Sequence, residues 1–148
     1  MLDLISHLPQ RGSIYFWKYK TDGWLGSEWH FAANEQGRKF FEELLNRMET
    51  AETDCTFLIK TKAVTQKILR VPDFNSPYEN REGLKLTFSP FESNYYEWSV
   101  GDNEYIVDIS FGKAILREWR RVLTEAQAVE TCIGLEDDHT VFVWKTDG

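Results

Sequence analysis

The stretch WLGSEWHFAAN, residues 24 to 34, sets Glu28 two residues before His30 and places Trp24 and Trp29 beside them. A histidine oriented by a carboxylate serves as a general base, and stacked aromatic rings hold planar or sugar-like ligands. Whether these residues act together depends on the backbone beneath them. SIYFWKYK, residues 13 to 20, and WLGSEWHFA, residues 24 to 32, are aromatic and β-branched runs on either side of Thr21-Asp22-Gly23, the pattern of a β-hairpin. With Asp22 and Gly23 as a two-residue loop, Phe16 pairs with Trp29, Ile14 with Phe31, Trp17 with Glu28 and Tyr15 with His30. Alternate strand residues share a side. Ile14, Phe16, Trp29 and Phe31 therefore face a core, while Tyr15, Trp17, Tyr19, Trp24, Glu28 and His30 form the opposite face and are the candidate ligand-binding residues. Aromatic and polar cross-strand pairs also stabilise a sheet with no further role, and that plain reading stands beside the chemical one.

A second constellation is cationic. Lys113, Arg117, Arg120 and Arg121 make a basic island in an acidic part of the chain, and on a helix the three arginines fall on one side. They are candidates for binding an anion: a phosphate, a carboxylate or an acidic segment of a partner. A solvent-facing charged stripe opposite an apolar one has the same appearance. A third, Glu136-Asp137-Asp138-His139, has donor atoms for a divalent cation. Four consecutive residues in an extended segment cannot converge on one ion, and no second cluster has zinc or EF-hand spacing, so a turn is expected there and no metal site. The chain has no G-x-S-x-G, no phosphate-binding G-x-x-x-x-G-K-[ST] and no local Cys-His signature. No catalytic residue and no cofactor is assigned.

The composition fits a globular chain of 148 residues, 42% hydrophobic and 28% charged, near the common size of one domain. The six tryptophans belong to a core or to a recognition surface, because an indole buries a large area and its N–H needs a partner. Net charge is −7 and uneven: residues 1 to 71 carry 10 basic and 9 acidic groups, residues 72 to 148 carry 7 and 15. An acidic half repels phosphate backbones, which speaks against nucleic acid, and attracts a cationic protein partner. Cys55 and Cys132 stand far apart in no disulfide or zinc pattern and are expected to be two reduced, buried thiols. The segment MLDLISHLPQRG lacks the basic and apolar blocks of a signal peptide, and no apolar run approaches membrane-spanning length, so a cytoplasmic chain without membrane contact is expected.

The supporting elements read as follows. Leu2, Leu4, Ile5 and Leu8 suggest a short amphipathic flap ending at Pro9. Asn34 caps a helix over about 35 to 49, whose stripe is Phe40, Phe41, Leu44, Leu45 and Met48, with Gly37 admitting a close backbone. Residues 55 to 60 form a strand, 61 to 71 suit helix or strand, and 72 to 83 form a long loop. LKLTF, YYEWSV and NEYIVDISF read as an antiparallel meander turning at Gly101-Asp102, with Tyr96, Trp98 and Val100 sharing a face with Tyr105, Val107 and Ile109. A helix carrying Ile115, Leu116, Trp119, Val122 and Leu123 follows, then a second helix or bend from Thr124 to near Gly134, and a last strand at 139 to 144. A WK-TDG echo links Trp17-Lys18 and Thr21 to Gly23 with Trp144 to Gly148 and is too isolated to mark a repeat.

Together these elements predict a single α+β domain over 1–148, a mostly antiparallel sheet built from an N-terminal hairpin and a C-terminal meander, with two or three helices on one face. Three functions fit it. One is a non-enzymatic interaction module of the inhibitor or immunity type, another a small-molecule binder or enzyme using the hairpin face, and the third an oligomer subunit with an aromatic face buried between copies.

Overall fold

The computed structural model describes residues 8–19, 29–70, 77–91, 99–103, 105–124, 130–133 and 141–145. Within them the chain order is β1 (Ile14–Tyr19), β2 (Trp29–Ala33), α1 (Glu35–Glu49), β3 (Cys55–Lys60), α2 (Gln66–Leu69), β4 (Tyr78–Asn80), β5 (Gly83–Phe88), β6 (Ser99–Asp102), β7 (Ile106–Phe111), α3 (Lys113–Thr124), β8 (Glu130–Ile133) and β9 (Val141–Lys145). The fold is α+β with mostly antiparallel pairing, as expected, but the strands form two sheets. One has the order β4-β1-β2-β9-β8 and the other β3-β5-β7-β6. Each sheet holds one parallel pair, β2 with β9 and β5 with β7. Among the described residues no helix is long and apolar enough to cross a membrane.

One large core joins the inner faces of both sheets to α1 and α3. The sequence explains how it is pinned. The α1 stripe of Phe40, Phe41, Leu44, Leu45 and Met48 is wholly buried. Phe41 meets Phe31 of β2 edge-on at 5.3 Å and Trp119 of α3 at 5.1 Å, so helix, sheet and helix share one aromatic junction. Phe40 reaches the other sheet through Phe57 at 5.7 Å. The start of α1 is fixed by Asn34, whose Oδ1 accepts the N–H of Gly37 at 2.8 Å and of Ser13 at 2.9 Å. Gly37 is there because a Cβ would stand 2.6 Å from the Ser13 carbonyl oxygen. This is the close approach the sequence predicted.

Several expectations change. The hairpin pairs Phe16 with Phe31 and Trp17 with His30, two residues away from the predicted register. A shift of two returns every side chain to its own face, so the apolar pattern is blind to it and the length of the connection decides. The meander is replaced by a parallel β5–β7 pair with β6 on the outer edge. Gly101 and Asp102 belong to β6; the turn is closed instead by Asn103, whose Oδ1 accepts the N–H of Tyr105 at 3.0 Å and of Ile106 at 2.7 Å. That Asx turn holds Tyr105 outside the strand and exposed, not on the apolar side with Val107 and Ile109. Tyr96 and Trp98 lie outside the described residues. The ambiguous 61–71 segment contains the short helix α2, capped by Thr65. The 72–83 loop holds the edge strand β4, paired with β1. Residues 130 to 133 are strand, the Thr124 hydroxyl bonds back to the Arg120 and Arg121 carbonyls at the end of α3, and residues 125 to 129 lie outside the described residues. Finally, α2 packs on the opposite face of its sheet from α1 and α3, so the helices do not all share one face.

Candidate functional site

The opposite face of β1 and β2 is a second, smaller core. Tyr15, Trp17, Tyr19, Ala32 and Trp144 are buried there beneath Val64 and Ile68, with Leu69 and Tyr78 packed at the margin. The cover arises from the chain between β3 and β4. Lys62 donates its N–H to the Ile14 carbonyl at 2.8 Å, Val64 donates to Asn80 Oδ1 at 3.0 Å, and the turn of α2 then lays Ile68 over the rings. Neither strand looked covered on this side in the sequence, because the covering residues are single apolar positions in polar stretches.

His30 lies at the centre with no exposed surface. Its ring stacks against Trp17 at 5.4 Å and Trp144 at 6.0 Å and meets the edge of Tyr19 at 4.9 Å. Trp144 Nε1 donates to His30 Nδ1 at 2.9 Å. An imidazole that accepts at Nδ1 carries its proton on Nε2 and is neutral, which is the form that a buried apolar setting favours. Burial pushes the Tyr19 phenol up from its ordinary value; polar contact with the Trp17 side chain lowers it in part and Tyr78 adds a smaller rise. Of the six predicted residues on this face, the structure gathers Tyr15, Trp17, Tyr19 and His30 into one packed cluster. Trp24 and Glu28 lie outside the described residues. A ligand reaches His30 only if this cluster opens.

Trp144 was missed as a partner of His30. The WK echo was its signal, since β1 and β9 flank β2 on either side and deliver Trp17 and Trp144 to the same face. Arg81 was missed as well. It is 6% exposed, lies over the Trp29 ring at 5.2 Å and donates from Nη1 to the Asn80 carbonyl at 3.2 Å. Lys18 approaches the same indole at 5.5 Å. The quadrupole of Trp29 thus attracts two cations at the end of the main core. No periodicity announces a buried arginine between two strands.

The basic island is brought together in part. Arg117, Arg120 and Arg121, with Glu49 and Thr124, line an open depression of about 460 Å³, and Lys113 is not among the lining residues. Arg117 Nε is 3.6 Å from Glu49, and Arg120 also pairs with Glu49 in a close contact. Arg121 is paired with Glu118 at 2.9 Å. Glu49 is the last residue of α1, where the helix dipole disfavours a carboxylate, and two guanidinium groups from α3 offset that cost. The arginines therefore clamp α3 to the end of α1, and Arg117 and Arg121 keep much of their surface in water. The Glu136-Asp137-Asp138-His139 turn lies outside the described residues. Comparison of the chain with models of protein families, with curated proteins and with solved structures returned no match.

Proposed function

We propose that this chain is a non-enzymatic, cytoplasmic interaction module, of the inhibitor or immunity type, that meets a cationic protein partner through its acidic second half. The observation that carries the reading is the closure of the His30 cluster. Among the described residues, the aromatic face around His30 is occupied by the protein's own rings, which favours a surface over that pocket as the place of function. The charge division supplies the sign of the partner, with 15 acidic against 7 basic groups in residues 72 to 148. The alternative, a small-molecule binder or enzyme on the hairpin face, requires Trp17, Tyr19 and Trp144 to part around His30.

The test is affinity capture from lysate of the source cell at low and at moderate salt, with a Glu136→Gln/Asp137→Asn/Asp138→Asn variant in parallel. A stoichiometric basic protein, released by salt and held less well by the variant, is the expected result. Absence of any such partner, or one retained equally at both salt concentrations and by both proteins, refutes the reading. A second reading is favoured by the depression beside Glu49: a carboxylate or phosphate group held by Arg117, Arg120 and Arg121. Titration with inorganic phosphate, comparing the wild type with Arg117→Gln, distinguishes it, because only a real site loses affinity in the variant.

A further inference from the structure

The free edge of β3 is the place where the structure is unfinished. Among the described residues β3 pairs with β5 on one side only and is a terminal strand of its sheet. At its end the Lys60 N–H is accepted by Gln10 Oε1 at 2.9 Å and the Lys60 carbonyl accepts from Gln10 Nε2 at 2.7 Å. A side-chain amide thus imitates a neighbouring strand for one residue. It also fixes the direction of the backbone. Lys60 turns both main-chain groups away from β5, and by the two-residue alternation of an antiparallel ladder Leu58 and Thr56 do the same. The 3.3 Å approach of the Thr56 and Thr87 hydroxyls agrees, since side chains come closest at pairs without main-chain bonds. Among the described residues nothing pairs with the N–H and C=O groups of Thr56 and Leu58, and the Leu58 side chain is 47% exposed. Edges of this kind recruit further strands unless they are blocked.

The residues around the edge indicate what would add to it. Glu52 and Asp54 precede β3 and Lys60 and Lys62 end and follow it, all four exposed. A strand that is acidic at its start and basic at its finish complements itself when it runs antiparallel and repels itself when it runs parallel. With a two-fold axis at Phe57, Thr56 of one copy faces Leu58 of the other and both pairs exchange two main-chain bonds. The same register sets Asp54 across from Lys60 of the second copy. Gln10 already holds the backbone of Lys60, so the added strand is confined to the stretch around Thr56 and Leu58. We infer that two copies of this chain pair through β3, antiparallel about Phe57, to make one continuous sheet across a two-fold dimer. The contact is short, so the dimer forms reversibly with concentration. It uses a surface separate from the acidic half, and it stands or falls independently of the proposed function.

Sedimentation velocity over about a hundredfold range of concentration tests this, with populations read against mass action. Leu58→Pro is the decisive variant: its N–H points away from β5, so proline removes an edge donor without costing a bond to β5. The expected result is a dimer in the wild type and a folded monomer in Leu58→Pro. Because proline can also disturb folding, a second pair of variants reads the same contact. Lys60→Glu weakens the dimer at least several-fold and Asp54→Lys/Lys60→Glu restores it, as only antiparallel self-pairing demands. A wild type that stays monomeric at every concentration overturns the inference. So does a dimer that survives Leu58→Pro, or one that the charge exchange fails to restore.

Discussion

Replacing His30 by alanine tests whether the hairpin face is core or site. The substitution removes a ring packed between Trp17 and Trp144 and edged by Tyr19, in a position with no exposed surface. Truncating a buried aromatic side chain costs about 3–5 kcal/mol, with the larger values where the walls cannot collapse. Three large rings, two on β1 and one on β9, have little freedom to close the gap. The Trp144 N–H also loses its acceptor, for which about 1–3 kcal/mol is the usual range unless water enters. The imidazole is smaller than phenyl, so a total near 4 kcal/mol is expected. With a urea dependence of about 2 kcal/mol per molar for a chain of this size, the midpoint falls by about 2 M. Trp144→Phe keeps most of the volume and deletes only the donor, and should cost about 1–3 kcal/mol. The double variant should show a coupling of about 1 kcal/mol or more, because the two changes break one shared bond. Equilibrium urea unfolding followed by far-ultraviolet circular dichroism reads all three. A His30→Ala protein with an unchanged midpoint would refute the argument, since a catalytic base is dispensable for folding and a central core ring is not.

Four more outcomes follow from the geometry. Gly37→Ala gains about 1 kcal/mol of helix propensity but drives a Cβ to 2.6 Å from the Ser13 carbonyl oxygen, so a net loss of about 1–3 kcal/mol in chemical denaturation is expected; a stabilised variant contradicts it. Asn34→Ala strips the acceptor from the Gly37 and Ser13 N–H groups together and should cost about 2 kcal/mol, the upper end for a helix cap, in the same assay. Glu49→Gln leaves Arg117 and Arg120 without their carboxylate; as these groups are partly in water, the loss should stay below about 1 kcal/mol and shrink further in high salt, as thermal melting at two ionic strengths would read. The raised Tyr19 phenol gives an alkaline prediction: the neutral form is favoured by the fold, so its stability is complete below the ordinary tyrosine value near 10.0 and is lost as pH rises through the higher folded value. Tyr19→Phe should therefore show a flatter loss of stability above that pH than the wild type.

Legibility of this fold in the sequence followed the range of the interactions. α1 was readable from end to end, because its cap, its stripe and its glycine all lie within fifteen consecutive residues and their neighbours. The two faces of the hairpin were readable because period two assigns sides without reference to anything distant. What lay across from each residue was not, as a two-residue slip leaves the same sides inward. Sheet membership was beyond reach for a related reason. The parallel pairs β2–β9 and β5–β7 join strands that no tight turn connects, and nothing local marks them. The candidate site failed to be legible at its roof. A face bearing Tyr15, Trp17, Tyr19 and His30 is equally suited to bind a ligand or to be covered, and the cover came from Val64 and Ile68, isolated apolar residues of one polar stretch, with Trp144 added from β9.

Placing a histidine between two indoles is costly unless its polar atoms are satisfied, and here the bond to Trp144 joins β2 to β9, the parallel pair at the middle of the sheet. The imidazole thereby specifies a long-range pairing: leucine in its place would fill the space but would leave the Trp144 N–H unanswered, and phenylalanine would do the same. Accepting a substrate proton at Nδ1 would break the bond that holds the ring and put a charge among Trp17, Tyr19 and Trp144. Among the described residues, the groups left at the surface are of another kind: the open edge at Thr56 and Leu58, the half-neutralised arginines beside Glu49, and the exposed rings of Phe91 and Tyr105.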